Sequence, residues 1–360
     1  MNMQHIAAFL FLLRQFPVRN RSIHHFCLQQ ISHMVSLTCL RKESVLITYS
    51  EFLNRVKEEV SNLVEDGYTV QIVPVRRNNA VMLDSMMIAR PGDLICPNIY
   101  LNTLYEWHRE GMSIRRIADR ILMQYRQALP DGALDVEGLL SRDRVCGNIV
   151  YRVVNRYRNR DLLDEVPHRD LLDLSLVFYI LVKNAVIGDG AVMVRREHQK
   201  LWGMSDEELD NAARTNTPVL LPPQIMSMEE MLGELEAING RFPAATDGEV
   251  DSRQDVPENM EDCHDSPIYV LTNADRQFGA CYMARKDILG SLAAKEADNL
   301  YILPSSVHEC MIIPVRFGQD PEDLGAMVRE INRTQVDAEE FLSDSVYYYD
   351  RQTDRLEIAA

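Results

Sequence analysis

Apolar and polar positions change period several times along the chain, and the changes predict alternating helices and strands. Phe52, Leu53, Val56, Val60, Leu63 and Val64 recur on one helical face, with Ser50 as N-cap and Gly67 as terminator. "YTVQIVPV" and "AVMLDSMMIA" then read as two strands joined by the polar turn "RRNN". Helices follow at residues 101–109 and from Ser113, where Ile114, Ile117, Ile121, Leu122 and Tyr125 share a face, until Pro130-Asp131-Gly132 breaks the chain. "NIVYRVVNRYRNR" carries two periods at once. As a strand it sets Tyr151, Val153 and Tyr157 against Arg152, Arg156 and Arg158; as a helix it clusters Ile149, Val150, Val153, Val154 and Tyr157.

"LDLSLVFYILV", from Leu172 to Val182, is the most apolar run in the body and predicts a buried strand, turning at Gly188-Asp189-Gly190 into "AVMVRR". "GMSDEELDNAARTN" predicts a helix capped by Ser205, with Glu208 at the reciprocal position, and "SMEEMLGELEAI" repeats that device from Ser227. From Asn239 to Pro267 the chain is acidic, poor in large apolar residues and punctuated by Gly and Pro. Such a segment buries too little surface to offset the entropy of ordering it, and it predicts a flexible linker. Beyond it come strands at 268–271 and 278–284, a helix at 286–297, strands at 300–303 and 308–314, a helix at 321–332, and a closing hairpin in "SVYYYDRQTDRLEI". The expected fold is α+β, with antiparallel or mixed sheets and helices packed on one face. It divides into residues 45–238 and 268–360 on either side of the linker at 239–267.

Charge refines this picture. The 360 residues carry a net charge of −16, and the first 44 hold five bases (Arg14, Arg19, Arg21, Arg41, Lys42) against Glu43 alone, leaving −20 for the rest. A body that acidic repels nucleic-acid backbone and anionic lipid, so neither is an expected partner. Seven dispersed cysteines without a C-x-x-C argue for reduced thiols and a cytoplasmic protein. "IAAFLFLL" has no basic residue before it and no small-x-small site after it, and eight apolar residues are too few to span a bilayer. The expectation is that residues 1–44 are an extension from a mis-called start, outside the domain.

The chemistry-bearing candidates are few. In "ILPSSVHECMIIP", His308 and Glu309 are the weak catalytic candidates; on a strand their side chains point to opposite faces. The zinc-peptidase pattern H-E-x-x-H would need a second histidine where Ile312 stands. Ser305 and Ser306 lack a G-x-S-x-G setting and read as a turn. Asn332, Arg333, Thr334 and Gln335 are four consecutive polar groups at a helix end, a set that could fork onto a phosphate, carboxylate or peptide backbone, or could simply build the turn. Eleven arginines between Arg109 and Arg160 face six acids, and a solvated arginine face accounts for them. No phosphate loop, dinucleotide fingerprint or metal pattern appears, so no cofactor and no metal are expected.

"TYSEFLNRV", "ICPNIYLNTLYEW", "VPHRDLLDLSLVFYILV", "LWGMSDEELDNAARTNTP", "LYILPSSVHECMIIP" and "VREINRTQVDAEEFLSDSVYYYDR" resemble one bacterial family, the domain-of-unknown-function family DUF5688 of anaerobic Gram-positive gut bacteria. The likeness runs from about Thr48 to about Ile358, so the first 45 or so residues stand outside it. It implies no activity, cofactor or catalytic residue. The expected function is therefore a cytoplasmic binding or regulatory module without its own catalysis, its partner a protein or a small anionic ligand. The alternative is a hydrolase whose site is assembled from distant residues, His308 with Asp173 or Glu197.

Overall fold

Thr48 opens the first helix, α1 (Tyr49–Leu63), by accepting the Glu51 N–H at 3.2 Å on its hydroxyl. The cap is thus two residues earlier than Ser50, which lies inside the helix. In this computed structural model the described residues are 47–90, 96–128, 141–182, 190–227, 230–231, 268–304, 306–317 and 320–360. The expected extension at 1–44, the Pro130-Asp131-Gly132 break, the Gly188-Asp189 turn, Ser305 and the acidic segment at 239–267 lie outside them. Strands β1 (Thr69–Arg76) and β2 (Met82–Ala89) pair antiparallel from Thr69↔Ala89 to Arg76↔Met82, and β3 (Ile99–Tyr100) joins β2. Phe52, Val56 and Val60 of α1 are fully buried with Met86 of β2 and with Ile117 and Ile121 of α3 (Ile114–Ala128), which follows α2 (Asn102–Arg109). Three helices therefore cover one three-stranded sheet.

The double-period stretch is a strand. After the short helix α4 (Arg142–Cys146), β4 (Ile149–Asn155) pairs with β6 (Leu174–Val182) from Ile149↔Ile180 to Asn155↔Leu174. Helix α5 (Arg160–Glu165) and strand β5 (His168–Leu171) lie between them in sequence, and β7 (Gly190–Met193) also pairs with β6. Helix α6 (Arg196–Trp202) precedes α7 (Asp206–Leu220), which opens with the expected reciprocal cap: Glu208 N–H donates to Ser205 Oγ at 3.2 Å, and Ser205 N–H donates to Glu208 Oε2 at 2.8 Å.

The remaining elements are β8 (Pro223–Ser227), β9 (Tyr269–Asn273), α8 (Lys286–Glu296), β10 (Leu300–Leu303), β11 (Cys310–Pro314), α9 (Pro321–Thr334), β12 (Tyr347–Asp350) and β13 (Arg355–Ile358). The six strands form one antiparallel sheet in the order β13-β12-β10-β11-β9-β8. Alternation along its strands separates two cores. Leu271, Ile302 and Ile312 join Tyr151, Val153, Leu176 and Phe178 of the β4–β6 sheet, while Val270, Leu303 and Ile313 pack on Leu324, Val328 and Ile331 of α9. The fold is α+β with antiparallel sheets.

Two expected strands differ. Residues 278–284 are not a strand: Gly279–Ala284 is a run of 3-10 turns, all but its last residue buried. The run is apolar throughout, and periodicity cannot distinguish the two conformations there. The strand expected at 308–314 begins only at Cys310, which leaves His308 and Glu309 in the bend before it.

β8 and β9 flank the acidic segment in sequence and pair along five residues, from Pro223↔Asn273 to Ser227↔Tyr269. A protease site inserted at residue 250 and cut in the purified protein should therefore give two fragments that elute together in native size-exclusion chromatography. Fragments that separate without denaturant would refute the shared sheet.

Candidate anion-binding pocket

The site begins with the alternation of β4. Tyr151 and Val153 enter the central core, so Arg152 and Val154 emerge on the other face. Arg152 stands opposite Val177 of β6, and the diagonal neighbour on that strand is Tyr179. The Arg152 guanidinium carbon lies 4.2 Å from the Tyr179 ring centre and 3.6 Å from that of Phe278, both within cation–π range.

Phe278 is held in an unusual backbone state, with φ 58° and ψ 24°. The left-handed region costs a residue with a Cβ about 1–2 kcal/mol, and such residues gather where a site over-determines them. Here the conformation sends the Phe278 N–H to His308 Nδ1 at 3.2 Å, and the two rings pack with centres 5.1 Å apart. An Nδ1 that accepts carries no proton, so the neutral ring bears its proton on Nε2, which stands 3.4 Å from Glu340 Oε1. The His308 carbonyl is also engaged, accepting from Gly279 N–H and Thr272 Oγ1 at 2.9 Å each.

The facing wall is the β1–β2 turn. Asn79, with φ 57°, donates its N–H to Asn159 Oδ1 at 2.9 Å and its amide to Ala338 O and Phe341 O at 2.9 and 2.7 Å. Asn159 answers with Nδ2 to Asn79 Oδ1 at 2.9 Å and to Asn155 O at 2.8 Å, and Asn78 Nδ2 donates to Glu339 O at 2.7 Å. Residues distant in sequence are thereby locked into one rim, as a preorganised site requires. They enclose a cavity of about 610 Å³ lined by Arg76, Arg77, Arg152, Arg195, Tyr179, Phe278, His308, Glu339 and Glu340, among others. That volume suits a small molecule.

The charges of this cavity are unequal. Arg76 pairs with Asp161 at 2.7 Å, Arg77 with Glu339 at 3.3 Å, and Arg195 with Glu165 at 2.7 Å. Arg152 is partly buried, and among the described residues no carboxylate forms an ion pair with it. Burial pulls its guanidinium pKa down; the Tyr179 hydroxyl opposes that pull, and the Arg77 charge adds to it.

Of the residues singled out from sequence, His308 lines this cavity, while Glu309 sits beside it in the chain and is not part of the lining. Asn332, Arg333, Thr334 and Gln335 do not converge. Asn332 is buried and donates to Ser343 O and Asp344 Oδ1 at 2.8 Å each, whereas Arg333 is exposed and pairs with Glu330 at 2.7 Å. Thr334 Oγ1 donates back to Glu330 O at 2.8 Å, and Gln335 is the C-cap of α9. Asp173 accepts from the hydroxyls of Ser343, Ser345 and Tyr347, and Glu197 is exposed on α6; neither lines the cavity with His308. What sequence reasoning missed was Arg152, and one signal was present: a single arginine inside the apolar run "IVYRVV".

Among the described residues no cluster of His, Cys, Asp and Glu could hold a metal ion, and no helix is long and apolar enough to cross a membrane. A sequence profile described as "Family of unknown function (DUF5688)" matches residues 49–351. No curated protein and no solved structure matches the chain.

Proposed function

This chain belongs to the family of unknown function DUF5688, and we propose that it binds a small anionic ligand at Arg152, as a binding or regulatory module without catalysis of its own. The supporting observation is the guanidinium itself, drawn partly out of water between two aromatic rings and, among the described residues, given no carboxylate. A charge held partly out of water without a counter-charge is destabilising, and an anionic ligand would supply that counter-charge. With a net charge of −16, the molecule as a whole repels anions, so any binding has to be local to this pocket. Polyanions such as nucleic acid are disfavoured for the same reason. Dispersed cysteines favour the cytoplasm as the compartment.

One observation bears on a second reading, a hydrolase: His308 Nε2 stands 3.4 Å from Glu340 in the same cavity, although the lone pair that a base would use, on Nδ1, already accepts the Phe278 N–H. Calorimetric titration with acetate and inorganic phosphate, alongside turnover assays on simple carboxyl and phosphoryl esters, separates the two. The expected result is saturable anion binding that Arg152→Gln weakens at least tenfold with an unchanged circular dichroism spectrum, and no turnover. Binding that survives Arg152→Gln overturns the pocket; ester turnover lost in His308→Gln moves the assignment to the hydrolase.

A further inference from the structure

The cavity constrains the ligand beyond its charge, and on the reading just given we propose that the ligand is a monocarboxylate with an apolar tail. The first constraint is charge number. Arg76, Arg77 and Arg195 each already face a carboxylate, at 2.7, 3.3 and 2.7 Å, which leaves Arg152 as the lining arginine that forms no ion pair with a carboxylate among the described residues. Glu165 and Glu339, the partners of Arg195 and Arg77, line the cavity together with Glu340, which stands 3.4 Å from His308, so a second negative charge on the ligand would meet carboxylates. Dicarboxylates, phosphate dianions and polyphosphates fit this balance poorly. One carboxylate satisfies it, and its two oxygens match the fork of a guanidinium.

The second constraint is the wall beside Arg152. Leu162 of α5 and Ala191 and Met193 of β7 line the cavity and are only partly buried. Leu162 and Met193 rest on a small core of Val154, Leu163, Val166 and Val177, which fixes their positions from behind. Their outward surfaces are apolar, and covering them is favourable in proportion to the area removed from water. Met193 brings an unbranched, polarizable side chain that adapts to the shape of a tail. A carboxylate seated on Arg152 therefore has an apolar surface beside it, which the remainder of the molecule covers. The volume of about 610 Å³ admits such a tail without requiring the wall to open.

The test is a titration series of acetate, butyrate and hexanoate, with adipate and hexyl phosphate as the doubly charged arms and hexanol as the uncharged one. Affinity should rise about three- to fourfold for each methylene that reaches the wall. Adipate and hexyl phosphate should bind at least tenfold more weakly than hexanoate, and hexanol should not bind measurably. Met193→Asn should flatten the dependence on chain length while leaving acetate affinity within twofold, a split that general loss of structure would not produce. If acetate and hexanoate bind equally, or hexyl phosphate binds as well as hexanoate, the ligand class is wrong and anion binding at Arg152 stands. If no anion binds at all, the underlying reading fails with it.

Discussion

Gly279→Ala should leave little folded protein, with a loss of more than about 3 kcal/mol in chemical denaturation of whatever remains soluble. The backbone angles are not the reason, because Gly279 does not have a positive φ. The reason is space. A Cβ on Gly279 would stand 2.5 Å from Thr272 Oγ1, 2.6 Å from Thr272 Cα and 2.7 Å from Asn273 N. Two of those atoms are backbone of β9, a strand held on both sides, by β8 and by β11. It cannot retreat without breaking one ladder. Nor can residue 279 move outward freely, because its N–H donates to His308 O at 2.9 Å. Gly147→Ala is the matched control: Gly147 has φ −75°, and nothing lies within 4 Å of its added carbon. It should change stability by less than about 0.5 kcal/mol. Equal stabilities for the two variants would mean that β9 yields where it is expected to hold.

The same close approach explains what could be read from sequence and what could not. Elements with a self-contained signal were legible. α9 runs Pro321–Thr334 where the pattern predicts 321–332, β10 is Leu300–Leu303 as expected, and the Ser205–Glu208 cap forms as its spacing implies. These depend on neighbours within a few residues, and local propensity decides them. Residues 278–284 depend on something distant, the face of β9 against which Gly279 lies, and no local pattern encodes it. The pocket is illegible for the same cause, since it takes residues from 76–78, 152–154, 162, 165, 179, 191–195, 278, 307–308 and 339–340. The polar run at 332–335 shows the converse, residues adjacent in sequence that do not converge in space. Consecutive residues on a helix are spread by about 100° each, so a run that looks like one cluster in sequence fans apart in space. Asn332 turns inward to Ser343 and Arg333 outward to Glu330.

Arg152→Met should make the ligand-free protein more stable, by about 1–2 kcal/mol, and should at the same time abolish stabilisation by anions. Removing an arginine from an apolar strand takes away two favourable contacts, the rings of Tyr179 and Phe278, each worth about 0.5–2 kcal/mol. It also removes the larger opposing term, the cost of holding a partly desolvated guanidinium that has no carboxylate partner among the described residues. Methionine keeps the length of the side chain and offers its sulfur to the same two rings, so most of the packing survives. The neighbours strengthen the expectation, because Val154, Val177 and Met193 surround the position with apolar surface. The measurement is a thermal melt of both proteins without added anion and again with saturating hexanoate. The unliganded variant should melt a few degrees above the wild type, and hexanoate should raise the wild type alone. A variant that melts well below the wild type without anion would mean that the two rings and the Tyr179 hydroxyl already satisfy the cation. In that case Arg152 is a structural pillar of the β4–β6 sheet, and the unmatched charge no longer argues for a ligand.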